Sequence, residues 1–157
     1  MDWAFIADIA AIITTVSLVI AVAQLIRSMK TQDLQSFFYI HNYLSQDEFS
    51  NARKKIRTEL FCTVYSCWGD EEKKSANRVC ASYDQAGLLI SIGVLNKKTK
   101  REFLSSSWGR SIIDQYESLK PFLDDYQTPT QTGREFFKHF TWLYNEALKY
   151  QNRDDIV

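Results

Sequence analysis

Glycine and proline are scarce in this chain, with five Gly and two Pro among 157 residues, and neither occurs before Gly69. An all-β fold full of tight turns, a collagen-like repeat and a flexible low-complexity chain are excluded on that ground. Helix is the default. Charge of one sign is also missing: nineteen Lys and Arg balance nineteen Asp and Glu. A nucleic-acid partner would leave a basic footprint, so none is expected. The three cysteines, Cys62, Cys67 and Cys80, are odd in number and form no CxxC, which argues against a disulfide framework and for a reducing compartment.

Catalytic hardware is equally thin. His41 and His139 are the only histidines, without a ligand partner at helical spacing, and Cys62-x4-Cys67 with Cys80 lacks zinc-site spacing. The chain has no G-x-S-x-G elbow, Walker loop or GxGxxG turn. Ser107 reads as a helix cap, and the pairs Asp124-Asp125 and Asp154-Asp155 as solvated helix ends. No catalytic residue, metal or cofactor is assigned.

What is present is a long apolar run. Residues 3–26, WAFIADIAAIITTVSLVIAVAQLI, contain one of the thirty-eight charged side chains, Asp8. At about 1.5 Å per residue this run is long enough for the ~30 Å hydrocarbon core of a bilayer. A cleavable signal fits poorly, because Met1 and Asp2 supply no positive charge and the run exceeds the usual ~7–15 residues. Arg27 and Lys30 follow directly, so the positive-inside rule places the carboxyl side in the cytoplasm. The expected organisation is a transmembrane anchor over residues 1–27 and an all-helical cytoplasmic domain over 28–157. Averaging over these two parts gives an ordinary mean hydropathy of −0.29 that conceals the anchor.

Within the run, Ala7, Ala10, Thr14, Ser17, Ala21 and Gln24 recur three and four apart, and each is small or polar. Helices associate in lipid through such residues, so this stripe, with Asp8 beside it, is the candidate homo-oligomer interface. Snorkelling to the interface is the plainer use of Asp8.

The rest reads as about five helices. Leu34, Phe37, Phe38, His41 and Leu44 continue a helical period past the anchor. Ser45 and Glu48 form a capping-box pattern, predicting a helix from Gln46 with Phe49, Ala52, Ile56, Leu60, Val64 and Cys67 on its apolar face and Gly69 at its end. Asp70, Glu71 and Glu72 open the next helix, whose buried face is Val79, Tyr83, Ala86, Ile90 and Val94, with Gly87 and Gly93 marking close approach of a neighbour. A short helix follows NKKTKRE. Trp108, Ile112, Tyr116, Leu119, Phe122 and Leu123 mark another helix, which Pro121 kinks or ends. Thr128-Pro129 opens the last, carrying Phe136, Phe140, Leu143 and Ala147.

Two polar sets carry candidate functions. Arg27, Lys30, Arg53, Lys54, Lys55 and Arg57 form a basic set, extended by Lys97, Lys98, Lys100 and Arg101 where folding brings them together, that is suited to anionic lipid headgroups or else is a plain solvated face. Tyr83 and Asp84, with Gly87, Arg110 and Arg134, suggest a buried polar network or a pocket between helices.

The segments SYDQAGLLISIGVL, LKPFLDDYQ and GREFFKHFTWLYNEA, behind an amino-terminal membrane helix and an Arg-rich helix, resemble the bacterial membrane-anchored family known as domain of unknown function 4760. The resemblance covers nearly the whole chain and implies a small single-pass protein of the bacterial inner membrane with a helical cytoplasmic domain. It brings no activity with it. Proteins of this architecture that serve as membrane effectors in phage defence or toxin systems offer an analogy. The leading expectation is therefore a non-enzymatic effector that oligomerises through its membrane helix and perturbs the membrane. The competing one is a membrane-tethered adaptor that recruits a cytoplasmic protein partner.

Overall fold

In the computed structural model the described residues are 3–60, 63–127 and 136–154, with side chains described over 16–60, 63–126 and 136–151. Six α-helices, and no strand among the described residues, make the chain all-α: α1 Trp3–Leu44, α2 Asp47–Lys55, α3 Asp70–Ser91, α4 Lys97–Ser105, α5 Ser107–Gln127 and α6 Lys138–Asp154. The chain divides into two compact units, Met1–Gln35 and Ser36–Val157.

The first unit consists of α1 up to Gln35. With neither Gly nor Pro in the way, nothing in the sequence stops α1 at the end of the apolar run, and it continues to Leu44.

The second unit holds the core. The last turns of α1 contribute Ile40 and Leu44, both fully buried. Of the apolar positions expected here, Leu34 and Phe38 are exposed, because the inward arc is 37, 40, 41 and 44. The capping box does not form. The Ser45 N–H still donates to the His41 carbonyl, so Ser45 finishes α1, and Gln46 is the residue before α2. The Ile56–Leu60 segment continues α2 as a π-helical turn, burying Ile56 and Leu60. The helix does not reach Cys67: Val64 and Cys67 are exposed, and Tyr65–Cys67 is a single 3-10 turn.

Gly69 starts α3 rather than ending its predecessor, its N–H donating to Glu72 Oε2 at 3.1 Å. The expected acidic first turn is present, and Val79, Tyr83, Ala86 and Ile90 are buried as their period requires. Val94 lies beyond the helix and is half-buried. Asn96 caps α4, its side-chain oxygen accepting from the Lys98 and Thr99 N–H groups. At α5 the capping oxygen is that of Ser106, not Ser107; it accepts from the Trp108 N–H at 3.2 Å. Nor does Pro121 end α5, which runs on to Gln127 because Phe122 and Leu123 continue its buried face. Thr128-Pro129 falls outside the described residues. Phe136 precedes α6 and is 47% exposed, whereas its neighbour Phe137 is buried with a left-handed backbone, φ 56°.

Helix α6 packs against α3, α4 and α5. Phe140 on α6 stacks on Tyr83 of α3 and meets Tyr116 of α5 edge-on, both at 5.1 Å between centroids. Seating α6 on α3 depends on Asp84 and Gly87, one turn apart. Asp84 Oδ1 accepts from the backbone N–H groups of His139 and Phe140 at 2.8 and 3.1 Å, satisfying donors that a helix amino terminus leaves free. A Cβ on Gly87 would stand 2.3 Å from the His139 carbonyl oxygen, so glycine is required for this approach. The close-approach expectation holds at Gly87. Gly93 has another reason: its φ of +85° turns the chain after α3, with nothing within 4 Å of its Cβ position.

Gly87→Ala is therefore expected to destabilise the fold by about 2 kcal/mol or more through backbone overlap. Asp84→Ala is expected to cost about 1 kcal/mol as a lost cap. Denaturant unfolding of both variants checks these values and their order.

Candidate functional site

Three places in the structure bear on function: the exposed part of α1, the surroundings of Arg53, and a cleft between the π-helical segment and α5.

On α1, Val16, Leu18, Val19, Ile20, Val22, Leu25, Ile26 and Met29 are all exposed, between 48% and 64%. At 100° per residue they occupy most of the helix circumference and leave one arc to Ser17, Ala21, Gln24 and Ser28. The carboxyl half of the small-residue stripe thus shares one exposed arc. The side chains of Ala7, Asp8, Ala10 and Thr14 lie outside the described residues. Among the described residues no helix is long and apolar enough to cross a membrane.

The basic set does not act as one group. Arg27 and Lys30 are exposed on the first unit. In the second, Lys54 and Arg57 are exposed, and Lys55 pairs with Glu72 at 2.9 Å, which holds the amine above and the carboxyl below its ordinary value. Lys100 pairs with Glu146 at 2.8 Å. Arg53 leaves the set altogether. It is 5% exposed, its Nη2 donates a short hydrogen bond to the Leu44 carbonyl, and its guanidinium lies 5.4 Å from the ring centre of Trp108 and 5.8 Å from that of Tyr83. Burial pushes this guanidinium below its ordinary pKa, with Tyr83 acting in the opposite sense and Arg57 adding to the decrease. Nη1 has no hydrogen-bond partner, and neither do the side-chain N and O atoms of Gln115, which is fully buried on α5. A sequence signal for Arg53 existed: it stands four residues after Phe49 and three before Ile56, on the apolar arc of its helix.

His41 belongs to the same region. Its Nδ1 accepts from Trp108 Nε1 at 3.1 Å, and its ring stacks on Phe37. That geometry makes His41 a packing residue. Among the described residues no group of three His, Cys, Asp or Glu side chains is placed to hold a metal ion. Cys80 is buried, and desolvation pushes its thiol up, which removes it from nucleophilic chemistry at neutral pH. Cys67 is exposed, and Cys62 lies outside the described residues.

Of the expected polar network, the described members make separate contacts. Tyr83 OH meets Ser111 Oγ at 3.1 Å, Asp84 caps α6, Arg110 is exposed, and Arg134 lies outside the described residues.

The cleft was not anticipated. It measures about 870 Å³, with Arg57, Leu60, Thr63, Val64, Tyr65 and Trp68 on one side and Asp114, Glu117, Ser118 and Pro121 of α5 on the other. Trp68 is 6% exposed, and its Nε1 donates to the Thr63 carbonyl at 3.2 Å. Tyr65 OH donates to Asp125 Oδ2 at 2.5 Å, and burial together with this carboxylate pushes the phenol up to about 12.

The fold defines an all-α protein with an exposed apolar helix and no assembled catalytic set among the described residues. The chain belongs to the family described as domain of unknown function 4760, whose model matches residues 11–147. No curated protein and no solved structure matches it.

A phenol whose pKa is higher folded than unfolded contributes stability that is complete below its unfolded value, about 10, and is lost as pH rises to about 12. Tyr65→Phe is expected to make the decline in stability across that window shallower than in the parent chain. Chemical denaturation at several alkaline pH values reads the difference.

Proposed function

We propose that the chain is a single-pass, non-enzymatic membrane effector of the bacterial inner membrane, with residues 1–27 as anchor, the amino end outside and residues 28–157 in the cytoplasm. The observation that carries this reading is the exposure of eight large apolar side chains between Val16 and Met29. Left in water, each forgoes about 1 kcal/mol of burial, about 8 kcal/mol together, comparable with the whole net stability of a domain at about 5–15 kcal/mol. Soluble monomers rarely show such a contiguous apolar surface. Lipid removes the cost, and the sequence ahead of Val16 extends the run to residues 3–26 with Asp8 as its one charge.

In this reading the arc of Ala7, Ala10, Thr14, Ser17, Ala21 and Gln24 is the contact between copies, because small residues allow helix backbones to approach and Ser, Thr and Gln hydrogen-bond across the pair. The bulky arc faces lipid. Within such an assembly Asp8 faces protein or water instead of lipid, where its charge costs least. Arg27 and Lys30 sit where anionic headgroups lie, each adding about 1 kcal/mol of attraction. A role in phage defence or a toxin system follows by analogy with other membrane effectors.

The second reading is a membrane-tethered adaptor whose cytoplasmic helices recruit a protein partner. Exposed Leu88 on α3 and Ile92, the residue that follows it, favour it, as apolar positions open to contact.

Expression of the parent chain is expected to depolarise cells and slow growth, and a variant with Ala10, Ser17 and Ala21 changed to Leu to do neither while still fractionating with membranes. Membrane-potential dyes and growth curves read this. Undisturbed cells with both chains, together with a stable complex surviving mild detergent extraction, would favour the adaptor and end the effector reading.

A further inference from the structure

The cleft beside Trp68 lies wholly within the second unit, so its chemistry is independent of what surrounds α1. Its size, about 870 Å³, falls within the ~300–1,000 Å³ typical of small-molecule sites. Both of its walls depart from regular α-helical bonding. Arg57 and Leu60 lie in a π-helical turn, a form found mostly as short insertions and frequently at functional sites. Opposite them, Pro121 is inside α5 and has no N–H to give the Glu117 carbonyl, a placement that costs a helix ~3 kcal/mol or more. Two costly irregularities bordering one cleft point to use of that cleft.

The lining chemistry specifies the occupant. Arg57 lines one wall, and Asp114 and Glu117, one turn apart, line the other; Glu117 Oε1 also accepts from Tyr144 OH at 3.4 Å, and no ion pair within 4.0 Å joins the two walls. Ser118 also lines the acidic wall, its hydroxyl donating to the Asp114 carbonyl at 2.8 Å, which leaves its oxygen as an acceptor. Between the walls lie Leu60, Val64, Trp68 and Tyr65, and the polar atoms of the two aromatic residues are already taken, by Thr63 and Asp125. The surface between the charges is therefore apolar. A simple cation meets Arg57, and a simple anion meets Asp114 and Glu117. A molecule carrying both charges on an apolar body satisfies all three.

We propose that this cleft binds a small zwitterion, with its ammonium on Asp114 and Glu117, its carboxylate on Arg57 and its apolar body over Trp68. A dipeptide of apolar residues with free termini is of suitable size and chemistry.

The test titrates leucyl-phenylalanine, its carboxyl-terminal amide and its N-acetyl derivative into the full chain by calorimetry. The dipeptide is expected to bind about tenfold more tightly than either derivative, equivalent to ~1.4 kcal/mol. In Arg57→Gln its affinity should fall to that of the amide. In the double variant Asp114→Asn, Glu117→Gln it should fall to that of the N-acetyl form. All three residues are exposed, and unchanged unfolding midpoints would show that the variants fold. Absence of dipeptide binding at millimolar concentration, equal binding of the three compounds, or a preference that persists in both variants would overturn the assignment.

Discussion

Arg53 is the joint on which the second unit turns. Its guanidinium bonds the carbonyl of Leu44, the last residue of α1, and lies over Trp108 at the start of α5 and Tyr83 in the middle of α3. One side chain of α2 thereby touches three other helices. Burying a guanidinium without a carboxylate is expensive, and what offsets it here is a carbonyl that a helix end leaves unsatisfied and the faces of two aromatic rings. Trp108 in turn donates to His41 one turn back along α1. The end of α1 is thus fixed by directional contacts as well as by burial of Ile40 and Leu44.

That fixation matters because α1 has two kinds of residue in one helix. Its last turns are core residues of a well-charged bundle, and eight large apolar side chains between Val16 and Met29 are exposed. A helix apolar around most of its circumference requires a second solvent or a partner. The helix joins these parts without a break, from Trp3 to Leu44. Under the proposed effector reading, a rearrangement in the bundle that moved the Arg53 joint would act on the helix that carries the proposed anchor.

The all-helical class was legible because apolar residues recur at 3.6-residue spacing and Gly and Pro are few. Tyr83, Ala86, Phe140 and Leu143 are buried where that period puts them, and Gly87 is where a neighbouring backbone comes close. The failures have local causes. Ser45 and Glu48 match a capping box in letters, yet the Ser45 N–H is already committed to the end of α1. Pro121 reads as a break, but the burial of Phe122 and Leu123 outweighs one missing hydrogen bond. Arg53 was lost among Lys54, Lys55 and Arg57, because a run of like charges suggests a solvated face and hides the one member on the buried arc. The cleft could not be read at all: its walls are about fifty residues apart in sequence, and its shape depends on a π-helical turn that no residue pattern announces.

The proposed anchor requires α1 to pass from lipid to water between Met29 and the bundle. Nitroxide labels placed singly at Leu18, Ile20, Leu25, Met29, Gln35 and Tyr39 in the full chain, reconstituted in vesicles containing anionic lipid, test it through their relative accessibility to oxygen and to a water-soluble nickel chelate. A membrane-embedded α1 gives oxygen-dominated accessibility at Leu18, Ile20 and Leu25, with a crossover near Met29 and nickel-dominated accessibility at Gln35 and Tyr39. Nickel-dominated accessibility at all six positions would contradict it.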